Sequence, residues 1–429
     1  MTERDFSPLN RRRFLRATGA SAVAAGLAGC RSGDSGGSGN LKLGVLAPNP
    51  GKSPTGTSIK RGAELAVKQL NESGGVNGRT VELVSKNTGG EASTAKQKYQ
   101  TLTLGEGVQA TFGVFTSEVL LTLMDQIAEQ GKIHMTTGAA TPLSARKVSQ
   151  NYEKYKYYFR TGPLNGIQLG QNLLDFAGNM FSQMGWSSVA LLAEDYEWTK
   201  PIYGMLSQEL GNRGVDVALK QRYSSDTENF APIYDDISSS GADAAFLQMA
   251  HTGVPAIVKW ARDRRQWGFG GIHIPSQLPS FYGQSRGAAA YSVTQNVATP
   301  QSELTEKTQP FVQAYQGEYD SLPVYTGYIT FDAVKQWANV AANEGTVDTD
   351  TVIAGLEKSS YTGTVGTIEY HNKGHRFAHD VIYSPGKVNP VYQQWQPEDP
   401  ANIQAGGTQE VVFPTEFKTA DYKEPIWIQ

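Results

Sequence analysis

The sequence predicts an α/β protein made of two doubly wound lobes in series. Apolar strand segments alternate with amphipathic helical segments from residue 41 to about residue 160, and the same pattern restarts near 162 and continues to about 290. Such alternation is typical of parallel sheets with helices on both faces. Because the connection between the two units is only a few residues long, we expect a hinge and a cleft between the lobes.

Length and composition limit the classes of function. The chain has 429 residues, 39% of them hydrophobic and 18% charged, which is enough for two or three packed domains. The net charge is −3, and it becomes −6 without residues 1–30, which hold five arginines and two acidic residues. This balance argues against a nucleic-acid partner. After the first 20 residues, no apolar run approaches the length of about 18 residues that a membrane-spanning helix needs.

The amino terminus predicts export and lipid anchoring. Residues 11–16 read RRRFLR, an apolar run of small residues follows over 17–29, and the run ends in LAGC at Cys30. This order resembles a twin-arginine signal peptide (1–30) that ends in a lipobox, with Cys30 as the lipidated residue. Cys30 is the only cysteine in the chain. Residues 31–40 form a Gly/Ser tether, so the predicted location is the outer face of the cytoplasmic membrane.

The first unit contains the most informative stretch, residues 112–142. Two strands are predicted at 110–115 and 133–137, and each ends in small hydroxyl-bearing residues, which include Thr116 and Ser117 after the first strand. Apolar residues recur at helical spacing between them, so we expect Ser117 at a helix cap. Parallel strands would place both polar turns at the carboxyl edge of the sheet, where a helix N-terminus can hold a carboxylate. The alternative is a well-capped βαβ unit that binds no ligand.

The remaining elements follow from the same periodicities. The sequence predicts further strands and helices over most of the chain, and it predicts ordered extended packing for the tail at 409–429. The predicted strands are 41–47, 80–86, 188–192, 217–221, 244–249, 271–274 and 364–370, and the predicted helices are 58–71, 94–105, 167–181, 202–211, 231–238, 254–265, 302–319 and 329–343.

Three short motifs suggest catalysis, nucleotide binding or metal binding, but the residues around each motif argue against that function. The GDSGG of residues 33–37 lies in the tether rather than in a rigid loop with an oxyanion hole. Residues 48–54 approach a P-loop, but Leu46 replaces its first small residue and prolines remove N–H donors. His371, His375 and His379 are four apart, yet a strand and a turn surround them instead of a helix. We therefore predict a protein that is not an enzyme and has no cofactor or metal.

An ordered set of segments identifies a family resemblance that covers about residues 41–386. In order, the segments read GVLAPNPG, RGAELAVKQLNESGGVNGRTVELV, GVQATFGVFTS, IHMTTGAATPLSA, YFRTGPLNGIQ, VALLAEDYEW, GADAAFLQMAHTGVPAIVKWAR, YTGYITFDAV and YTGTVGTIEYHNKG. The chain resembles the leucine/isoleucine/valine-binding family of ABC-transporter substrate-binding lipoproteins, which have the type I periplasmic-binding-protein fold.

The resemblance implies two three-layer lobes that are joined by three crossovers and close on a ligand like a clamshell. The crossovers would lie near 160–162, 290–297 and 377–380. Lobe 1 would then comprise 41–161 and 294–378, and lobe 2 would comprise 162–293 and 379–429 with a C-terminal extension. The implied partners are a small-molecule ligand and the permease and ATPase subunits of an ABC importer on other chains, and the implied state is a monomer.

The resemblance also implies which residues bind the ligand. Ser117, beside Thr116, matches the serine that meets the ligand carboxylate, while Ala139 and Thr141 match the pair that contacts carboxylate and ammonium. Trp198 stands where relatives carry a tyrosine that closes over the ligand. Gln277 stands where amino-acid binders carry a carboxylate for the ammonium, and Ala250 stands where they often carry a tyrosine.

Because Gln277 and Ala250 differ from the residues of amino-acid binders, the sequence does not decide the class of ligand. Branched-chain or other amino acids remain candidates, and so do amides, urea-like compounds and non-amino organic acids, since a buried ammonium without a carboxylate is costly. Glu194, Asp195 or Asp332 could replace the missing carboxylate from nearby turns. A ligand-sensing surface protein is the remaining alternative; it would need a spanning helix and a cytoplasmic module.

Overall fold

The computed structural model describes residues 39–428. The predicted signal peptide (1–30), the predicted lipidation site Cys30 and residues 31–38 of the predicted tether lie outside this range. Within the range, no helix combines the length and the apolar character required to cross a membrane.

The first lobe is built on a parallel sheet. Its strands are β1 (Leu41–Ala47), β2 (Val81–Asn87), β3 (Ala110–Gly113), β4 (Ile133–Thr136) and β5 (Tyr158–Arg160). Within residues 39–428 the order across this sheet is β2-β1-β3-β4-β5, with every neighbouring pair parallel. The carboxyl ends of β3 and β4 are therefore adjacent at one edge, as the sequence predicts.

Helices cover both faces of this sheet. They are α1 (Pro54–Glu72), α2 (Ala92–Gln100), α3 (Ser117–Gln130), α4 (Leu143–Gln150) and α5 (Tyr152–Tyr155). Side chains of β1 alternate between two buried clusters, since Leu43 and Val45 share one cluster with Ile59 of α1, and Leu46 shares the other with Leu120 of α3. The lobe is thus a three-layer sandwich.

The second lobe repeats the pattern. Its elements are α6 (Gly166–Met184), β6 (Ser188–Glu194), α7 (Thr199–Glu209), β7 (Asp216–Tyr223), α8 (Ala231–Ser240), β8 (Ala244–Met249), α9 (Gly253–Arg262), β9 (Gly268–His273), α10 (Phe281–Gln284) and β10 (Val293–Asn296). On β6, Leu191 packs in the cluster that holds Leu206 of α7, whereas Leu192 packs in the cluster that holds Ile257 of α9. This alternation confirms a second doubly wound lobe.

The chain then returns to the first lobe before it finishes in the second. The returning elements are α11 (Thr308–Tyr319), α12 (Tyr325–Asn343), α13 (Thr349–Lys358) and the hairpin of β11 (Tyr361–Thr362) and β12 (Thr367–Ile368). Helix α12 lies so close against α1 that a Cβ atom on Gly62 would lie 2.4 Å from the carbonyl oxygen of Gly327. Strands β13 (Val391–Pro397) and β14 (Gly407–Phe413) then join the second sheet as an antiparallel pair. Its order within the described residues is β14-β13-β10-β9-β8-β6-β7.

Several element boundaries differ from the sequence prediction for local reasons. The strand predicted at 364–370 is interrupted because Gly366 has φ 129° and the N–H group of Thr364 donates to the Asp332 carboxylate. The helix predicted from 302 begins at Thr308. The predicted lobe boundary at 293/294 falls inside β10, all of which pairs within the second sheet. The chain therefore leaves the second lobe after Asn296.

A buried ion pair joins the lobes where two crossovers run side by side. The backbone of Arg160 bonds to residues on both sides of Asp380, with Arg160 N donating to His379 O at 2.9 Å and Val381 N donating to Arg160 O at 3.0 Å. The Arg160 Nε atom lies 2.9 Å from Asp380 Oδ1, and neither side chain is exposed. Asp380 Oδ2 also accepts from Asn165 Nδ2, at the start of α6. One carboxylate thus connects both lobes.

Candidate ligand-binding site

The first wall of the site is the turn from β3 into α3. Backbone dihedrals reverse the chain there, since Gly113 has φ 108° and Val114 has φ 67°. A positive φ is strained for a β-branched residue, and strain of this kind concentrates at functional sites. The reversal presents Phe115, Thr116 and Ser117 at the sheet edge. Their position follows from a local backbone feature that hydrophobic periodicity does not reveal.

Ser117 opens helix α3 instead of capping it. The cap residue is Thr116, whose φ of −94° and ψ of 148° are extended, and its side chain makes no capping hydrogen bond. The Ser117 side chain is 3% exposed, and its Oγ atom has no hydrogen-bond partner within residues 39–428. A buried hydroxyl without a partner is unusual, because leaving it unpaired costs about 1–3 kcal/mol. Ser117 is therefore suited to meet a ligand.

The turn after β4 packs directly against the first turn. A Cβ atom on Gly138 would lie 2.8 Å from both Val114 O and Phe115 Cα, so only glycine allows this approach. The structure departs from the sequence prediction in the residues that follow. Gly138 and Ala140 line the cavity, whereas Ala139 and Thr141 do not. The carbonyl oxygens of Ala139 and Thr141 instead accept hydrogen bonds from the buried Arg160 guanidinium.

The second lobe supplies the opposite wall from loops at the ends of four strands. Of the residues predicted in this lobe, Trp198, Gln277 and Ala250 all line the cavity. Gln277 is 4% exposed and donates from Nε2 to Gln295 O at 2.7 Å, while its Oε1 atom has no partner in the described chain. The neighbouring Gln295 Nε2 is likewise buried without a partner. Two residues of this wall, Gln277 and Gln295, therefore leave one amide acceptor and one amide donor without a protein partner.

Together the walls enclose a small, largely apolar cavity between the lobes. The cavity has a volume of about 60 Å³, which has room for a few water molecules and suits a small organic molecule. At the cleft the lobes also touch, where Glu197 N donates to Glu118 Oε1 at 3.4 Å. The lining residues are Phe115, Thr116, Ser117, Gly138, Ala140, Pro163, Leu169, Tyr196, Trp198, Ala250, His251, Ile272, Ile274, Gln277, Gln295, Val297 and Tyr325.

The carboxylates proposed as substitutes for Gln277 are engaged elsewhere and do not line the cavity. Glu194 accepts from the N–H groups of His251 and Thr252, both at 2.7 Å, and it holds the turn after β8. Asp195 pairs with Arg222 at 2.7 Å and is 64% exposed. Asp332 accepts from the Thr364 backbone, and burial raises the pKa of its carboxyl to about 7.

Among the described residues that line the cavity, His251 alone carries an imidazole. Its Nδ1 atom lies 3.0 Å from Glu194 Oε2, and this hydrogen bond raises the pKa of His251 above its usual value despite partial burial. Burial alone would raise the pKa of Glu194, but hydrogen bonds from His251 and Thr252 lower it. The histidine side chain is 38% exposed and packs at 4.5 Å, centroid to centroid, against Tyr196. Its place is thus the rim of the cavity.

Strands β13 and β14 brace the turn that carries Gln277. The carbonyl oxygen of Ser276 accepts from Gln393 Nε2 and from Trp395 Nε1, each at 2.8 Å. Gln409 Nε2 donates to Gln277 O at 3.1 Å. The C-terminal strands therefore hold the backbone of residues 276 and 277, although they do not line the cavity themselves.

Sequence reasoning missed several wall residues, notably Tyr196, His251, Gln295 and Tyr325. His251 lies just beyond the end of β8, so its position at the edge of a parallel sheet was an available signal. Tyr325 begins α12 from the first lobe, and no pattern near it indicates a cavity.

The histidines spaced four apart do not form a metal centre. His371 and His375 stack on each other with ring centroids 3.9 Å apart, whereas His379 contacts Glu357 and stacks on Phe159. Over residues 39–428, no group of three or more His, Cys, Asp or Glu side chains is arranged to hold a metal ion.

Two lobes with a cavity between them are the architecture of two-lobed binding proteins. Comparison with known proteins identifies the family. A family model described as "Periplasmic binding protein" matches residues 40–384. Since this match spans most of the chain, the protein belongs to the periplasmic binding protein family. Together with the relatives described next, this match confirms the resemblance to leucine/isoleucine/valine-binding proteins.

Individual relatives are distant but cover most of the chain. The Leu/Ile/Val-binding protein homolog 2 of Brucella abortus (strain 2308) is 23% identical over 343 residues, which is 78% of this chain and 87% of the relative. A branched-chain amino acid transporter substrate-binding protein from Streptococcus pneumoniae, in complex with isoleucine, superimposes with a TM-score of 0.69 at 17% identity, covering 87% of this chain and 100% of that one. A solute-binding protein from R. palustris in complex with benzoate gives 0.70 at 17% identity, covering 91% and 99%.

Proposed function

We propose that the protein is the extracytoplasmic substrate-binding lipoprotein of an ABC importer and that it captures a small molecule in the interlobe cavity. The observation that carries this proposal is the cavity itself, whose two walls come from different lobes. Ser117 on one wall and Gln277 and Gln295 on the other present buried polar atoms without partners. Binding would satisfy these atoms and hold the lobes closed.

The relatives suggest what the ligands have in common. Isoleucine and benzoate, bound by the two structural relatives, both carry a carboxylate, whereas only isoleucine carries an ammonium group. A carboxylate suits the free N–H groups at the start of α3 beside Ser117. Branched-chain and other amino acids, amides, urea and non-amino organic acids form the candidate panel.

The panel is tested by thermal unfolding of the full-length chain, purified in detergent, with each compound at millimolar concentration. A ligand at 100 times its Kd stabilises the folded state by about 2.7 kcal/mol, so a binder raises Tm clearly. If no compound of the panel raises Tm, the proposed function is wrong.

A cavity-filling variant locates the binding. Ala250→Trp fills the space beside the second-lobe wall and should abolish the Tm shift. Ala401→Trp, at an exposed position in the same lobe, is the matched control and should keep the shift. Equal shifts in both variants would place binding elsewhere.

The proposed anchoring rests on the sequence of residues 11–30. Export by the twin-arginine route and lipidation of Cys30 would tether the protein at the outer face of the cytoplasmic membrane, next to the permease and ATPase chains. Mass spectrometry of the membrane fraction should find a lipidated amino-terminal Cys30, and Cys30→Ala should release the protein from that fraction. Intact residues 1–29 in the mature protein would contradict this part of the proposal.

A further inference from the structure

The cavity wall carries no carboxylate side chain and no lysine or arginine within residues 39–428. Its polar groups are neutral hydroxyls and amides, together with the His251 imidazole at the rim. An ammonium group buried here would therefore lose its hydration without an ion-pair partner, which is the unfavourable case for buried charge.

The paired amides of the second lobe fit a different group. Gln277 Oε1 needs a donor and Gln295 Nε2 needs an acceptor. Both residues line the cavity, and Gln277 Nε2 donates to the backbone carbonyl oxygen of Gln295. An ammonium group offers donors only, so it would satisfy Gln277 Oε1 and face Gln295 Nε2 with a second donor. A hydroxyl group donates once and accepts as well, so it satisfies both amides.

The first lobe is suited to the opposite end of such a ligand. Ser117 Oγ is buried without a partner at the first residue of α3, a helix of 14 residues whose first N–H groups favour an anion. Aromatic and branched side chains from both lobes line the space between these two polar ends, among them Phe115, Trp198 and Ile272.

Two carboxylates near the cavity, Glu194 and Glu118, make contacts within the protein. Glu194 is engaged by the turn at 251–252, and Glu118 Oε1 accepts from Glu197 N across the cleft. Glu118 Oε2 is buried without a partner but does not line the cavity. Glu118 follows the wall residue Ser117 and has one carboxylate oxygen without a partner, so the test includes it as an alternative partner for an ammonium group.

We propose, resting on the proposed function, that the substrate is a small hydroxy acid: its carboxylate meets Ser117 and the start of α3, its hydroxyl lies between Gln277 and Gln295, and it has no ammonium group. The site would thereby discriminate against the amino acid of the same shape. Discrimination of this kind arises because unmatched buried polar groups are costly.

Matched ligand series test the proposal by isothermal titration with the full-length chain. One series compares 2-hydroxy-4-methylpentanoate, leucine and 4-methylpentanoate, which differ only in carrying a hydroxyl, an ammonium or a hydrogen. The other compares 3-phenyllactate, phenylalanine and 3-phenylpropanoate. In the series that binds better, the hydroxy acid should bind at least about tenfold more tightly than both of its counterparts.

Variants assign the preference to the amide pair. Gln277→Leu should lower affinity for the hydroxy acid to that of the deoxy acid and leave the deoxy acid unchanged. Gln277→Glu should reverse the order between hydroxy acid and amino acid. Gln248→Leu is the matched control, because Gln248 is also buried with both amide atoms unpartnered but lies outside the cavity. It should leave the order unchanged.

Several outcomes overturn the inference. The inference is wrong if an amino acid binds as tightly as its hydroxy analogue. If Glu118→Gln then removes the binding of that amino acid, Glu118 is the partner of the ammonium group. Equal affinity for the hydroxy acid and the deoxy acid would show that Gln277 and Gln295 do not bind the ligand hydroxyl. Binding of other panel compounds but of neither series would leave the proposed function standing and the inference wrong, whereas binding of nothing at all would remove both.

Discussion

The two walls of the cavity are built in different ways. The first-lobe wall uses two short turns, 115–117 and 138–140, at the ends of adjacent strands, together with Tyr325 at the start of α12. The second-lobe wall draws on segments near 196, 250, 274 and 295. Its turn at 276–277 is braced by β13 and β14, more than 100 residues further along the chain. Apart from Tyr325, the first wall is therefore local in sequence, whereas the second is assembled by tertiary contacts.

The difference has a consequence for specificity. The first wall offers backbone N–H groups and a hydroxyl, which suit any carboxylate, whereas the second wall offers particular side chains. Substitutions in the second lobe can therefore change the ligand without disturbing the first wall. One predicted first-wall pair, Ala139 and Thr141, holds the buried Arg160 instead, so this wall is also tied to the interlobe joint.

The largest expected effect concerns the ion pair that joins the two lobes. Asp380→Asn leaves the buried Arg160 charge uncompensated and should lower the free energy of unfolding by about 3–5 kcal/mol. Denaturation by guanidinium chloride, followed by tryptophan fluorescence, measures this change.

The control for this prediction is an exposed pair. Asp350 lies 2.8 Å from Lys156 and its side chain is 69% exposed, so Asp350→Asn should cost no more than about 1 kcal/mol. Similar losses of unfolding free energy in both variants would show that the buried Arg160–Asp380 pair stabilises the protein no more than an exposed ion pair does.

Two buried serines of the first lobe should behave in opposite ways. Ser144 accepts from Arg160 Nη2 at 2.9 Å and donates to Thr141 O at 3.1 Å, so Ser144→Ala should cost about 1–3 kcal/mol of stability. Ser117 has no partner in the described chain, so Ser117→Ala should leave stability nearly unchanged. Its affinity for the panel compound that raises Tm most should instead fall about 10- to 100-fold.

Denaturation and isothermal titration of the same two variants separate these effects. A Ser117→Ala protein that is clearly less stable and binds normally would assign Ser117 to folding rather than to the first-wall site.

The smallest expected effect tests the bracing of the second wall. Gln409→Leu removes the donor to Gln277 O and should lower stability by about 1 kcal/mol and affinity for the same compound about three- to tenfold. Thr408→Val is the control, since the Thr408 hydroxyl donates only to Glu410 on the same strand. Unchanged affinity in the Gln409 variant would mean that the C-terminal strands do not position the second wall.

The sequence predicted much of the first wall and little of the second. Thr116 and Ser117 follow a strand and precede a helix, so periodicity alone was sufficient to place them at the sheet edge. Gln277, Trp198 and Ala250 were located only through a family resemblance. Gln295 was missed because β10 pairs with strands from both earlier and later in the chain, and no local pattern reports that pairing.

By itself, the sequence determined the alternation of strands and helices and hence the two doubly wound lobes, because the side-chain periods of 2 and 3.6 residues are local properties. Tertiary structure alone decided which polar atoms are left without partners. The carbonyl oxygens of Ala139 and Thr141 accept from Arg160 behind the site, whereas Ser117, Gln277 and Gln295 line the cavity and each keep a polar atom without a partner in the described chain. That outcome depends on contacts between residues far apart in the chain, and no short window of sequence contains them.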